Sequence, residues 1–305
     1  MAISRAVAEY REFCLINHYK PFPASEPALL NYFAQHAGKW ASTTMRTTKA
    51  RLKSYHVEAQ YDTSAFESPR VLHLIKGITR VHGARTKPPR RQLTFNLLDS
   101  IIPYCNKSFD ETCIKAALCV AFAAFLRGGD FTYSAWTAVE QATKPCRASI
   151  KFSQGFATLT LPKTKTEQLG KPTVIKLMET YRPSCPVSNL RDLFNRFPAP
   201  NHAPLFARIN PLAPSYNLGY FTDTYFASMM RTLLLRAGIN PKGFSNHSIR
   251  RGAAQSAADA GLTKDNIQTL GRWKSDAVLR YVTPASALVL QGKKPKPPHA
   301  SAPRR

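Results

Sequence analysis

The chain has 305 residues, with 43 Lys plus Arg against 18 Asp plus Glu, a formal net charge of +25. Hydrophobic residues make up 44% of it, an ordinary globular share that excludes a disordered basic tail. The length supports a sizeable core and suggests two domains, and the charge points to a polyanion as partner: nucleic acid first, with an acidic membrane surface or a ribosome as alternatives.

No apolar run reaches transmembrane length, and Glu9, Arg11 and Glu12 fall where a signal peptide needs its apolar region. An intracellular protein is therefore expected. The six cysteines (Cys14, Cys105, Cys113, Cys119, Cys146 and Cys185) are scattered without a CxxC pair and read as buried thiols.

Up to about Gly83 the chain reads as helices. "SEPALLNYFAQHAG" offers Ser25 as N-cap, Pro27 in the first turn and Gly38 as a stop. "STTMRTTKARLKSYHVEAQ" follows with Ser42 as cap. "SPRVLHLIKGITRVHG" has Ser68 as cap, Pro69 at the first helical position and Gly83 beyond the end. In the second of these, Arg46, Lys49 and Lys53 share one face, with hydroxyls nearby at Thr43, Thr47 and Ser54. Such a face suits phosphate contacts, and it equally suits plain solvation. Residues 1–92 hold 15 Lys plus Arg and 6 Asp plus Glu, so the surplus charge extends over both halves of the chain.

"GARTKPPRRQ" is polar, basic and Pro-containing, and reads as a linker over residues 84–92 between a helical domain at 1–83 and a second domain at 93–292. In the second domain Thr94 is expected to cap "TFNLLDSIIPYC". Asp110 is expected to cap the apolar helix "ETCIKAALCVAFAAFL", stopped by Gly128 and Gly129. "ASIKFSQGFATLTLP" alternates around Ser153-Gln154-Gly155 as a β-hairpin, and "TVIKL" supplies a third strand. Helices are then expected around Val187–Phe197, Leu218–Ala237, Ser245–Ala260, Thr263–Gly271 and Ser275–Tyr281. The Pro- and Lys-rich residues 293–305 read as a disordered tail. The fold class is mainly α with a small antiparallel β-sheet (α+β).

Several residues carry possible chemistry. Arg127 ends a buried helix, where a guanidinium must find a partner or an anion, and Asp130 stands three residues on to hold it. Lys163 and Lys165 follow the second hairpin strand. His247 and Arg250 lie at i and i+3 on one helix face, a proton carrier beside a permanent cation. Tyr281 follows "LGRWKSDAVLR". Taken singly, each has a plain structural reading: an ion pair at a helix end, an exposed basic loop, a core aromatic.

Their order and spacing together resemble the tyrosine recombinases over nearly the full chain. "LGRWKSDAVLRYV", "FLRGGDF" and "LPKTKTE" are most similar to recombinases of eukaryotic mobile elements, the Crypton and DIRS-like groups. The resemblance implies a core-binding domain at 1–83 and a catalytic domain from 93. It implies that Arg127, Lys165, His247, Arg250 and Tyr281 are catalytic, Tyr281 being the nucleophile and Asp130 supporting Arg127. Lys163 competes with Lys165. The sixth position falls on Arg272 by spacing or on Trp273 by chemistry, and Trp273, donating its indole N–H to a phosphate oxygen, is preferred. It further implies DNA cleavage and rejoining through a 3′-phosphotyrosine bond, with no metal, ATP or other cofactor. The partners implied are double-stranded DNA and three further copies of the chain, as a dimer on each site and a homotetramer on DNA, with no membrane role. Arg46, Lys49, Lys53, Arg90 and Arg91 would contact phosphates as the two domains close on the duplex. The apolar "ASALVLQG" (Ala285 to Gly292) would dock on a neighbour or on its own domain. "GKKPKP" and the resemblance suggest the nucleus. The alternatives are relaxation by a type IB topoisomerase and a recombinase-derived DNA-binding protein that no longer cuts.

Overall fold

The computed structural model describes residues 2–82, 90–135, 137–163, 171–209, 218–219 and 221–291. It divides into two compact units, Met1–Pro88 and Pro89–Arg305, each with its own apolar core. The architecture is mainly helical with a small antiparallel sheet, as the patterning predicts. Lys165, most of the expected linker and the tail 293–305 lie outside the described residues. Among the described residues no helix is long and apolar enough to cross a membrane.

The first unit is built from α1 (Ala2–Ile16), α2 (Glu26–Gln35), α3 (Ser42–Glu58) and α4 (Pro69–His82). Ser25 caps α2 by accepting the Ala28 N–H at 3.4 Å, and Gly38 takes φ +70 beyond its end. Ser68 accepts the Arg70 N–H at 3.2 Å ahead of α4. Ser42 is not a cap: it is the first residue of α3, and the Ala41 carbonyl takes the Met45 N–H at 3.1 Å. Tyr10, Tyr32, Phe33, Met45, Leu52, Phe66 and Val71 fill the core. His56 is buried with them. Its Nδ1 faces the Leu52 carbonyl at 2.7 Å and its Nε2 accepts the Ala24 N–H at 2.9 Å.

The second unit runs α5 (Phe95–Ile101), α6 (Phe109–Ala123), α7 (Gly128–Phe131), α8 (Ala138–Thr143), β1 (Ile150–Ser153), β2 (Phe156–Leu161) and β3 (Thr173–Met178). It continues through α9 (Pro186–Arg196), β4 (Arg208–Ile209), β5 (Leu218–Gly219), α10 (Asp223–Arg236), α11 (Asn246–Asp259), α12 (Lys264–Gly271) and α13 (Pro284–Leu290). α6 is apolar all round and buried from Cys113 to Phe122 apart from Lys115, so it forms the centre of the core. Its cap is Ser108, which accepts the Glu111 N–H at 3.3 Å, and not Asp110. The Asp110 carboxylate instead accepts the Ile209 N–H of β4 at 2.6 Å.

α6 also stops earlier than its glycines suggest. Phe125 adopts φ +50, the Leu126 N–H reaches back to the Ala121 carbonyl at 2.8 Å, and the Phe125 N–H reaches Phe122 at 3.1 Å. This is a Schellman ending with phenylalanine where glycine usually stands. Gly128 and Gly129 open α7 and do not end α6.

The hairpin turns at Gly155, φ +76, with Ile150 opposite Leu159 and Ser153 opposite Phe156. β3 adds to β2 in register from Phe156–Met178 to Leu161–Thr173. Ala157, Leu159, Leu161 and Leu177 turn inward, the period of two that the sequence shows. The helix expected from Leu218 begins only at Asp223, because residues 218–219 pair with β4. The turn before Tyr281, Asp276–Arg280, is a 3-10 helix.

Residues 91–95 run along α11. The Arg91 N–H donates to Gly243 at 3.0 Å, Leu93 to Ser248 at 2.9 Å and Phe95 to the Ser256 hydroxyl at 2.9 Å. A Cβ on Gly252 would stand 1.7 Å from the Leu93 carbonyl oxygen, so α11 has no room for a side chain there. Arg90, Arg91 and Gln92, which the composition assigns to the linker, are described with this second unit.

Candidate active site

The C-terminal ends of α6 and α12 and the first turn of α11 assemble the site. Arg250, one turn into α11, is the largest fully buried side chain of the described residues, at 0% exposure. Its Nη1 donates to the Phe125 carbonyl and its Nη2 to the Gly271 carbonyl, while its Nε–H is buried with no partner among the described residues. A guanidinium without a carboxylate partner in such a place costs several kcal/mol. Burial, and then Arg127 and Arg272, push its pKa below the ordinary arginine value, while Tyr281 and Asp130 act against them.

The Gly271-Arg272-Trp273 loop wraps this group. The Trp273 ring lies against the Arg250 guanidinium, 4.1 Å from its carbon to the ring centroid, and 5.1 Å from the Tyr281 ring. A Cβ on Gly271 would fall 1.7 Å from Trp273 Cζ3, so the glycine makes room for the indole. Arg272 stands in the left-handed region at φ +54. It donates from Nη2 to the Ala124 and Phe125 carbonyls at 2.9 and 3.4 Å and from Nη1 to Leu270 at 3.2 Å. The two candidates for the sixth position thus take different places. Trp273 meets Arg250 and Tyr281 with its ring, and Arg272 grips the end of α6.

Arg127 precedes α7, and its Nη1 is buried without a partner among the described residues. Asp130 supports it through the main chain, not through the expected guanidinium pair: its carboxylate accepts the Arg127 backbone N–H at 2.8 Å. Gly128 admits the Asp223 carboxylate, whose Oδ1 would stand 2.3 Å from a Cβ at that position. Asn246 donates to the Asp223 carbonyl at 2.8 Å, and its buried Oδ1 has no partner among the described residues.

His247 lies in the first turn of α11 and stays exposed. Partial desolvation lowers its pKa first. Arg90, Arg250 and Arg127 act in the same direction, and Asp223 opposes them. The imidazole is accordingly neutral at pH 7 and able to accept a proton. Tyr281 is half-buried at the end of its 3-10 turn, with its ring centroid 5.9 Å from the Arg250 guanidinium carbon. Its carbonyl takes the Gln92 side-chain N–H at 3.0 Å, and its hydroxyl bonds to no described residue. Lys163 is exposed just past β2.

The structure therefore gathers Arg127, Asp130, His247, Arg250, Tyr281 and both candidates for the sixth position, Trp273 and Arg272, and brings Arg90 and Asp223 to them. Arg127, Arg250 and Arg272 each keep a buried N–H without a partner among the described residues, with the Asp130 carboxylate acting on Arg250 and Arg272 and the Tyr281 ring 5.9 Å from Arg250. Arg90 was expected only as a distant phosphate contact. Asp223 carried no sequence signal, because only the fold brings α10 to Gly128.

The other expected phosphate contacts divide. Arg46 is exposed and makes no ion pair among the described residues. Lys49 donates to the Phe66 carbonyl at 2.8 Å and lies 3.6 Å from Glu67, and Lys53 pairs with Glu67 at 2.8 Å. The expected three-cation face thus carries a carboxylate. Arg91 packs on the Phe244 ring at 4.6 Å and donates to the Asn240 carbonyl at 2.8 Å, which leaves it partly engaged.

This arrangement of helices around a three-stranded sheet is the fold of tyrosine recombinase catalytic domains. Among solved structures, the chain is similar to the Tn1549 transposon integrase in complex with transposon right end DNA. The two are 14% identical, covering 95% of this chain and 91% of that one at a TM-score of 0.59. It is also similar to the XerH site-specific recombinase bound to palindromic difH substrate, a post-cleavage complex. Here identity is 13%, with 93% of this chain and 75% of that one covered at a TM-score of 0.58. No protein-family model matches the sequence, and neither does any curated protein.

Proposed function

We propose that the protein is a site-specific DNA recombinase of the tyrosine type, cleaving and rejoining DNA through a 3′-phosphotyrosine bond during integration or excision of a mobile element. The observation that carries this reading is the cluster of Arg127, Arg250 and Arg272 beside the Tyr281 ring. The fold likeness to recombinases solved on DNA supports it.

The chemistry follows from the groups. A phosphodiester repels nucleophiles, and a phenol with a reference pKa of about 10 is a weak one. Arg127 and Arg250 would hold the non-bridging oxygens as charge grows on them. The Tyr281 oxygen then bonds to phosphorus as the bond from phosphorus to the 5′ oxygen breaks. The phenolic proton passes to His247, and Lys165 protonates the leaving oxygen. A 5′ hydroxyl of another strand reverses these steps. Because the phosphotyrosine keeps the diester energy, the reading requires no ATP, and the arginines take the charge a metal ion would otherwise neutralise. In this reading the protein works on double-stranded DNA as a dimer per site and a tetramer per exchange, in the nucleus, within a Crypton- or DIRS-like element. Arg46 and Arg90 would supply phosphate contacts.

Nicked suicide duplexes carrying a randomised site, incubated with wild-type protein and with Tyr281→Phe and resolved on denaturing gels, test the proposal. Covalent adducts with the wild type alone are expected. Absence of any adduct from the wild type overturns catalysis, and relaxation of plasmids lacking a selected site reassigns the protein to the topoisomerases.

A further inference from the structure

We infer that Arg272 is a positioning residue, resting on the recombinase reading above: it holds the carbonyls at the end of α6 that seat Arg250 and lead into Arg127. Two helices meet end to end here. α6 finishes at left-handed Phe125 and α12 at left-handed Arg272, and both close with the same Schellman pattern. The Arg272 N–H reaches Thr269 at 3.1 Å, and the Trp273 N–H reaches Gln268 at 3.0 Å. A left-handed conformation is costly for any residue with a Cβ, and only four non-glycine described residues adopt it. That two of them share this contact shows how strongly the surroundings impose it.

The Ala124 and Phe125 carbonyls project past the end of α6 and have no helical partner. Arg272 Nη2 reaches both, at 2.9 and 3.4 Å, and Arg250 Nη1 also donates to Phe125. The Phe125 carbonyl is thus held by two guanidiniums. Arg127 follows two residues later, so the same few main-chain atoms set the place of the first arginine and the resting contact of the second.

Arg250 spends Nη1 and Nη2 on carbonyls and keeps an Nε–H that has no partner among the described residues, so it can meet a phosphate from its seat. Without Arg272 the Ala124 carbonyl would lose this donor and the Phe125 carbonyl one of its two, loosening the seat of Arg250 and the turn leading to Arg127. With Arg272 in place the end of α6 stays fixed. Arg272 itself spends Nη1 and Nη2 on carbonyls, so its work in this role is to hold α6.

The test uses the full chain and the suicide duplex selected above, with wild type, Arg272→Ala, Arg272→Lys and Arg250→Ala. Single-turnover adduct formation by Arg272→Ala is expected to fall by about 100-fold, the scale of a misplaced catalytic group. The slope of log affinity against log salt should stay at the wild-type value, while Arg250→Ala lowers it by roughly one phosphate contact. Added guanidinium chloride should restore part of the Arg272→Ala rate. Arg272→Lys, which keeps the charge with a single donor group, should fold and react at an intermediate rate, and it decides the matter if the alanine variant does not fold. A wild-type rate in Arg272→Lys or Arg272→Ala overturns the inference, and so does a reduced salt slope in Arg272→Ala. Failure of the wild type itself to form adducts would instead overturn the recombinase reading.

Discussion

The Trp273 ring covers the Arg250 guanidinium at 4.1 Å and approaches the Tyr281 ring at 5.1 Å, so one indole touches both a phosphate-binding candidate and the candidate nucleophile. Its place depends on Gly271, where a Cβ would overlap the ring. Trp273→Ala and Gly271→Ala should therefore share a phenotype, slower adduct formation with Arg250 uncovered. Losing the cation–π contact is expected to cost ~1–2 kcal/mol, and the overpacked alanine ~1–3 kcal/mol. Denaturant titrations and adduct yields check both, and a Gly271→Ala variant with wild-type stability and rate would refute the packing argument.

Gly252 makes a second close approach, this time to main chain. Its alanine variant would bring a Cβ against the Leu93 carbonyl at 1.7 Å and the Thr94 nitrogen at 2.9 Å, neither of which can rotate away. A loss of ~3 kcal/mol is expected, with residues 91–95 released from α11. Hydrogen exchange at the Leu93 and Phe95 amides should rise together with it.

His56 provides a pH test of the first unit. Burial lowers its pKa, with the Leu52 hydrogen bond and Asp62 opposing. The unfolded chain, with an ordinary histidine pKa of about 6.5, then binds the proton more readily than the folded one. Stability is complete above that value and lost as pH falls below it, since a protonated Nε2 can no longer accept the Ala24 N–H. The first unit should melt earlier as pH drops from about 7.5 to about 5.5, and His56→Gln should flatten that dependence. Identical slopes in the two proteins would sink the assignment.

On α3, Arg46→Ala should reduce the salt slope of DNA binding by about one contact. Lys53→Ala should change it less, because Glu67 already occupies that lysine. The depressed Glu67 pKa, caused first by the Lys53 hydrogen bond, fits this pairing. Glu67→Gln should tighten binding at low salt. Equal slopes for Arg46→Ala and wild type would remove this face from the DNA contacts.

Local features were the legible ones. Ser25, Ser68, Pro69 and the Gly155 turn act over a few residues, so the elements they bound fall close to expectation. At α6, two cap-competent residues stood two apart. Ser108 takes the Glu111 N–H, while the Asp110 carboxylate is drawn to the Ile209 N–H of β4. The left-handed Phe125 had no glycine to announce it. In the site, Arg127, His247, Arg250 and Tyr281 were named by the resemblance that their order and spacing carry. The double hold on the Phe125 carbonyl was hidden, because it joins residues 125, 250 and 272 through main-chain atoms that no residue type encodes.

Those main-chain atoms bear on how such a protein diverges. Arg250 is anchored by the carbonyls of Phe125 and Gly271, and carbonyls cannot be substituted away. Neighbouring side chains are then free to drift while the guanidinium keeps its seat. A fold shared with the Tn1549 transposon integrase at 14% identity is compatible with an arginine seated on main-chain atoms.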